Sequence, residues 1–469
     1  MHYLKSLHVL PVAGVFAWTV LCKASDAPPS PAAPSSIEAI AGKLPPEVGD
    51  AARRWLHEDE KELKSLLAFS PESLEQEVMV DLASEPAAAD FVLGRMSGET
   101  GETDRLILKV IAFEPFWVDE AGVEGGLQKL AEATPDPDLM LAYLDAERRL
   151  EAKRLRKLLT ARIADARSAG DTKALETLAS ADERWIMIER GATIPGFLRK
   201  APVVFSVEPA NRPIRIVGMG DFGAGSEGQR EVAAAIVAMG KARPFDFGLT
   251  FGDNFYPSGM KGLDDPRWRD WWESLYGPLG IAFYPTLGNH EWYSDDGAAA
   301  EVLYRSPTWI FPSPYYSFTA GPVQFFAIDT TEISEAQALW LDRAIGSSTA
   351  RWKVVFGHHP IFAPERNAKS GAYMAYMQAR LWPILRGRVD AYLCGHQHAM
   401  AQMDTQEGVH FFLSGGGGAP LSKVSKRKTD ALFAESKFGF LTLEADAAAM
   451  TIAIFDTDGK PFSSEILTK

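Results

Sequence analysis

A chain of 469 residues is too long for one ordinary domain. With 46% apolar and 23% charged residues it can pack a core, and a formal net charge of −14 excludes a general nucleic-acid binder, which needs a basic face. An acidic protein that handles anions must concentrate positive charge locally, and metal ions do this well.

His2 and Lys5 open the chain, and an apolar run follows from Val9 to Leu21. Cys22-Lys23-Ala24 then sets small residues at the two positions a signal peptidase inspects. The run is short for a membrane span, so no stable span is expected and residues 1–24 read as an export signal, to the periplasm or outside. The alternatives are an uncleaved anchor or a lipoprotein acylated at Cys22, against which bulky Leu21 argues. Cleavage would leave Cys394 as the one thiol, so no internal disulfide is expected. Residues 25–36 form a Pro/Ala/Ser-rich linker.

From 37 to 200 the pattern is helical. Ser70-Pro71-Glu72 is a helix start. Leu141, Leu144, Leu155, Leu158, Leu159 and Ile163 follow a three- and four-residue rhythm on one long helix. Asp171 opens another helix, which Gly191 would cap. No repeat period emerges, and neither a ligand cluster nor a phosphate loop lies here. The region reads as an all-α packing module, or as a docking unit for an unknown partner.

From 201 to 469 the texture changes to short apolar runs bounded by Gly, Pro and Asp. The predicted strands are Ile214–Met219, Phe247–Phe251, Phe283–Leu287, Val323–Ile328, Lys353–Phe356, Ala391–Cys394 and His410–Leu413. Amphipathic helices are predicted at Gly228–Met239, Glu335–Ile345 and Met374–Leu385. Such alternation predicts an α/β layered fold with its chemistry at the carboxyl ends of strands.

Five polar clusters each follow such a strand. They are Gly220-Asp221-Phe222-Gly223, Gly252-Asp253-Asn254-Phe255-Tyr256, Gly288-Asn289-His290-Glu291, Gly357-His358-His359-Pro360 and Gly395-His396-Gln397-His398. Glycine permits a sharp exit from the strand, and the side chains are donors for hard to borderline metal ions. Five of the nine histidines in the chain fall in these clusters, which sets the pattern apart from scattered structural histidines.

Over about Pro213 to Phe462 these motifs, with GDNFYPSG, the Trp-rich stretch from Arg267 to Tyr276, FPSPYYSF, AYLCGHQH and LSGGGG, resemble the calcineurin-like metallophosphoesterases. Within them the chain looks like the small purple, tartrate-resistant acid phosphatases. The resemblance implies two β-sheets flanked by helices, a four-layer α/β/β/α sandwich. Relatives outside the purple group open with Asp-x-His, but here position 223 is glycine. Tyr256 stands three residues after Asp253, where the purple enzymes place an iron-binding tyrosinate. A phenolate is a strong anionic donor that favours Fe(III).

The resemblance assigns Asp221, Asp253, Tyr256 and His398 to Fe(III). Asp253 would bridge to a second divalent ion (Fe, Zn or Mn) held by Asn289, His358 and His396. His290 would be the acid that protonates the leaving group, or else an orienter of Asn289. Asn254, His359 and Asn367 are candidate substrate contacts. His359 stands where an aromatic residue is common, and Asn367 or Arg366 stands where the animal enzymes carry a further histidine. The implied activity is hydrolysis of small phosphomonoesters by in-line attack of a metal-bound hydroxide. A phosphodiesterase acting on nucleotides or lipid headgroups is the alternative. A non-catalytic binding protein would be favoured by an incomplete ligand set, and this set is complete.

Overall fold

The computed structural model of the chain describes residues 159–189, 202–209, 212–294, 296–364, 368–422, 424 and 431–469. The expected signal, the linker and most of the expected helical region lie outside them, as do Gly191, Arg366 and Asn367. Among the described residues no helix is long and apolar enough to cross a membrane.

Two sheets carry the fold. The strands are β1 (Val203–Val207), β2 (Ile214–Met219), β3 (Phe247–Phe251), β4 (Phe283–Thr286), β5 (Tyr316–Ala320), β6 (Val323–Ala327) and β7 (Trp352–Phe356). They continue with β8 (Ala391–Cys394), β9 (Met400–Gln406), β10 (Val409–Ser414), β11 (Ala431–Glu435), β12 (Gly439–Ala445), β13 (Ala449–Asp456) and β14 (Pro461–Thr468). One sheet has the order β1-β5-β6-β7-β8-β10-β9-β11 and the other β14-β13-β12-β2-β3-β4. In each, a parallel centre (β6-β7-β8-β10, and β2-β3-β4) is extended by antiparallel neighbours. Every residue of β3 and of β8 is buried, as expected of parallel strands covered on both faces.

Five helices matter here: α1 (Thr172–Glu189), α2 (Glu227–Ala242), α3 (Gly297–Leu303), α4 (Glu335–Ser347) and α5 (Ala368–Arg380). A short α6 (Trp382–Leu385) follows. Ser226 caps α2 and Ser334 caps α4, each accepting a hydrogen bond from the third residue onward. Between the sheets, Ile216, Leu249, Phe251, Phe318, Phe325, Phe356 and Leu441 form one apolar core, and the same cluster runs on through Val217 to Val232 and Ile236 of α2. On the other face of the eight-stranded sheet, Leu341, Ile345, Met377, Leu381 and Leu385 pack on Val355 and Tyr392. The order of layers is α/β/β/α. Each such side chain, taken out of water, contributes roughly 1.5–3 kcal/mol.

Two sequence readings need correction. The helix predicted at Met374–Leu385 is two helices, α5 and α6, because Pro383 lacks the N–H that would continue the ladder and sits in the first turn of the second. The strands β1, β5, β9 and β11 to β14 were not among the predicted strands. Of the tryptophans in 268–272, Trp268 and Trp272 belong to the core, Trp268 stacking on Tyr304 at 3.7 Å and Trp272 meeting Trp309 edge-on at 4.7 Å.

The described end of the helical region packs on α4. Ile163, Ala179 and Ile186 are buried, and Glu335 in the first turn of α4 pairs with both Arg167 and Arg380 at 2.6 Å. Its backbone N–H donates to Asp182 at 3.0 Å, and the Tyr315 hydroxyl donates to Glu183 at 2.6 Å. Burial raises the Glu335 carboxyl, but Arg380 and then Arg167 outweigh it and hold it below the usual range.

Candidate metal centre

All five polar clusters stand where parallel strands give out. Asp221 follows β2, Asp253 follows β3, Asn289 follows β4, His358 follows β7, and His396 and His398 follow β8. Among the described residues, left-handed φ in a non-glycine residue occurs at Asp221 (58°), Asp253 (49°), His396 (71°) and Glu407 (44°). Three of these four are expected ligands. Each such residue costs about 1–2 kcal/mol, a strain that persists where the surroundings over-determine it.

Position 223 explains the exchange of ligands read from the sequence. A Cβ there would lie 1.7 Å from the Asn254 carbonyl oxygen, and the Tyr256 N–H donates to the Gly223 carbonyl at 2.9 Å. No histidine fits at 223 while the loop bearing Tyr256 lies against it. Arg267 secures that loop, donating to the carbonyls of Tyr256 and Gly259 at 3.0 and 2.7 Å. Arg267 is itself held by Asp265, whose carboxyl, despite burial, its bonds from Arg267 pull down to about 2.

The side chains converge in two sets. In the first, Tyr256 Oη lies 3.2 Å from Asp221 Oδ1, 3.1 Å from Asp253 Oδ2 and 3.0 Å from His398 Nε2. His398 Nδ1 stands 2.6 Å from the Pro420 carbonyl, which can only accept, so Nδ1 is the donor and Nε2 of the neutral ring carries a lone pair. One phenolic proton cannot serve three acceptors. In the second set, Asn289 Oδ1, His358 Nε2 and His396 Nδ1 stand 3.0–3.1 Å apart. His358 Nδ1 donates to the Phe251 carbonyl at 2.8 Å, and the Asn289 amide nitrogen donates to the Tyr293 hydroxyl at 2.7 Å. Lone pairs of the neutral groups therefore face one another across about 3 Å. That is the spacing of adjacent ligands on one ion with bonds of about 2.1 Å.

Asp253 joins the sets, its Oδ2 being 3.1 Å from Tyr256 Oη and 3.3 Å from His358 Nε2. Asp221, Asp253 and His358 each offer a ligand atom, all within 4.8 Å of one another. The charges tell the same story. Burial opposes ionisation of Asp253, yet His358 and then His290 hold its carboxyl well below the usual range. Burial opposes the charge on His358, yet Asp253 raises it to about 10. Burial, then Asp253 and Asp221, push the Tyr256 phenol far up. Protons on the histidines do here what a cation would do better, and a cation would reverse the sign at Tyr256. The donor set fits a pair of metal ions.

Known proteins resemble this part of the chain. The calcineurin-like phosphoesterase family profile matches residues 214–400. That stretch is a calcineurin-like phosphoesterase domain. The chain is 26% identical to purple acid phosphatase 4 of Arabidopsis thaliana over 52% of this chain and 81% of the relative. It is 26% identical to tartrate-resistant acid phosphatase type 5 of Oryctolagus cuniculus over 56% of this chain and 93% of the relative. A solved purple acid phosphatase from yellow lupin seeds aligns at a TM-score of 0.47 and 18% identity, covering 55% of this chain and 54% of its own.

In this phosphoesterase the remaining predicted residues have distinct fates. His290 reaches the mouth of the site: its side chain is 26% exposed and its Nε2 lies 3.8 Å from Asp253 Oδ2. Its Nδ1 donates to the Pro257 carbonyl at 2.6 Å, and burial is the chief cause that lowers its pKa. Its ring does not orient Asn289, a task that falls to Tyr293. Asn254 is not available to substrate. Its side chain accepts from Thr250 at 2.7 Å and donates to the Thr286 carbonyl and to Glu301, all buried behind the site. His359 is buried. It is 1% exposed, lies against the His396 ring at 4.3 Å, and its backbone N–H donates to Thr330. Asn367 lies outside the described residues.

Sequence reasoning missed Tyr293, Thr330 and Tyr373, whose ring meets His396 edge-on at 4.6 Å while its hydroxyl accepts from Gln397. No local pattern marks Thr330 and Tyr373, which reach the site through tertiary packing, whereas Tyr293 closes the turn that begins at Asn289. Glu291 was in view inside its cluster, without a role.

Proposed function

We propose that this chain hydrolyses small phosphomonoesters with a dinuclear metal centre, as an acid phosphatase of the purple type. The observation that carries the reading is the meeting of two complete donor sets at Asp253, one of which contains a tyrosine in place of a histidine. Asp221, Tyr256, His398 and Asp253 would hold Fe(III). Asp253, Asn289, His358 and His396 would hold a divalent ion. When bound, the ions supply an activated water and positive charge for the phosphate oxygens.

The chain's own groups do the rest. Phe251 and Pro420 fix the tautomers of His358 and His398, which keeps the ligand nitrogens facing inward. Tyr293 holds the Asn289 amide so that its oxygen, not its nitrogen, faces the histidines. With Nδ1 committed to Pro257, the protonated His290 ring offers its Nε2 proton to the oxygen of the departing alcohol. His290→Ala should lower kcat about a hundredfold while metal content and visible spectrum stay unchanged. Loss of metal in that variant would make His290 a support for the ligands and not an acid.

Turnover of a monoester and a diester chromogenic substrate by the metal-loaded protein at acid pH tests the reading. Preference for the monoester is expected. Preference for the diester would make the chain a phosphodiesterase, and no turnover of either would leave a metal-binding protein.

A further inference from the structure

Glu291 is fully buried, and its carboxylate takes hydrogen bonds from four backbone N–H groups. Its Oε1 accepts from Asn254 at 2.8 Å and Phe255 at 3.3 Å, and its Oε2 from Asp253 at 2.9 Å and Gly288 at 2.6 Å. Three of these donors are consecutive, and they converge because Gly252 and Asp253 both take left-handed φ, 76° and 49°. Such a run of N–H groups forms a concavity that binds anions, and here a carboxyl of the same protein fills it; burial and then Asp253 raise that carboxyl to about 8, while the N–H groups of Gly288 and Phe255 pull the other way. The fourth donor comes from the neighbouring loop, which touches the first: a Cβ at Gly288 would lie 2.3 Å from Asp253 Oδ1. The short helical turn at His290–Trp292 carries Glu291 inward and also brings the His290 N–H onto Asp253 Oδ1 at 3.0 Å.

We propose that Glu291 is a positioning residue, which laces the loop of Asp253 and Tyr256 to the loop of Asn289 and His290 and so sets the spacing of the two metal sites before any ion arrives. The proposal rests on the assignment of Asp253, Tyr256 and Asn289 as ligands. Glu291 touches neither substrate nor ion. It acts through the backbone, offsetting the strain of the left-handed Asp253 and fixing where that side chain starts. Glutamine cannot take its place, because, though of the same shape, it turns an NH2 toward one pair of N–H donors whichever way its amide lies. Glu301, which is 0% exposed and accepts from Asn254 alone, is the natural control. A glutamine there can keep its oxygen toward Asn254.

The test joins amide hydrogen exchange with metal titration, on metal-stripped full-length protein. In the wild type the amides of Asp253, Asn254, Phe255 and Gly288 should be protected without metal. Glu291→Gln should lose protection at those four and bind Zn(II) and Fe(III) about ten- to a hundredfold more weakly, whereas Glu301→Gln should match the wild type. Rapid exchange of the four amides in the metal-free wild type would overturn the proposal, since the spacing would then be made by the ions. So would wild-type metal affinity in Glu291→Gln. If Glu291→Gln does not fold, Glu291→Asp, which keeps the charge but not the reach, is read for the same two outcomes. Neither readout uses turnover, so a protein that binds both ions but cleaves no phosphate ester would refute the phosphatase reading and leave this one standing.

Discussion

Asp253→Ala is expected to empty both halves of the site. One carboxylate oxygen stands within 3.3 Å of a donor from each set, and the other accepts the His290 N–H at 3.0 Å. Removing it takes a ligand from each ion and also removes the main group that favours a proton on His358. Metal stabilisation of a phosphoryl transition state is worth several kcal/mol, so turnover should fall by about a thousandfold or more. The fold should survive. Alanine inherits the left-handed φ that Asp253 already bears and leaves one N–H unpaired, an added cost of about 1–3 kcal/mol. Asp253→Asn, which keeps the shape and tolerates that φ, separates charge from strain: it should melt nearer the wild type and still bind metal poorly. Elemental analysis beside circular dichroism checks both variants. Full metal content in either would remove Asp253 from the bridging role.

Tyr256→Phe is expected to abolish the visible colour of the oxidised protein while sparing its packing. The ring keeps its contacts with His290 at 4.5 Å and His398 at 5.8 Å, and only the oxygen is lost. Burial and the carboxylates of Asp253 and Asp221 hold the free phenol protonated, so a phenolate forms here only against a strongly charged cation. Fe(III) meets that requirement better than a divalent ion, and the tyrosinate–iron pair is what absorbs visible light in the purple enzymes. Iron affinity should fall with the band. An iron-loaded, active wild type without colour would instead make Tyr256 a wall residue beside two divalent ions.

The sequence shows the centre of this protein more clearly than its margins, for a physical reason. β2, β3 and β8 match the predicted strands residue for residue, because parallel strands buried on both faces must be continuously apolar and must leave the sheet sharply. β9, β13 and β14 mix buried with partly or fully exposed positions and include Gln402, Thr451 and Glu465, so no continuous apolar run announces them. The ligand residues are legible because each sits beside a glycine at a strand end. Asn254 was misread for the same adjacency. Being next to Asp253 suggested a shared direction, whereas its side chain runs back into the protein toward Thr250 and Glu301. The clamp made by Glu291 and the wall made by Tyr373 depend on backbones and helices that meet only in the folded chain, 36–38 and 24 residues distant from the groups they hold.

Metal stoichiometry of the wild-type protein, measured with phosphomonoester turnover before and after chelation, bears most directly on the metal centre. Two ions per chain are expected, with turnover lost when they are stripped and restored when iron and a divalent ion are returned. Undiminished turnover by metal-free protein would contradict it.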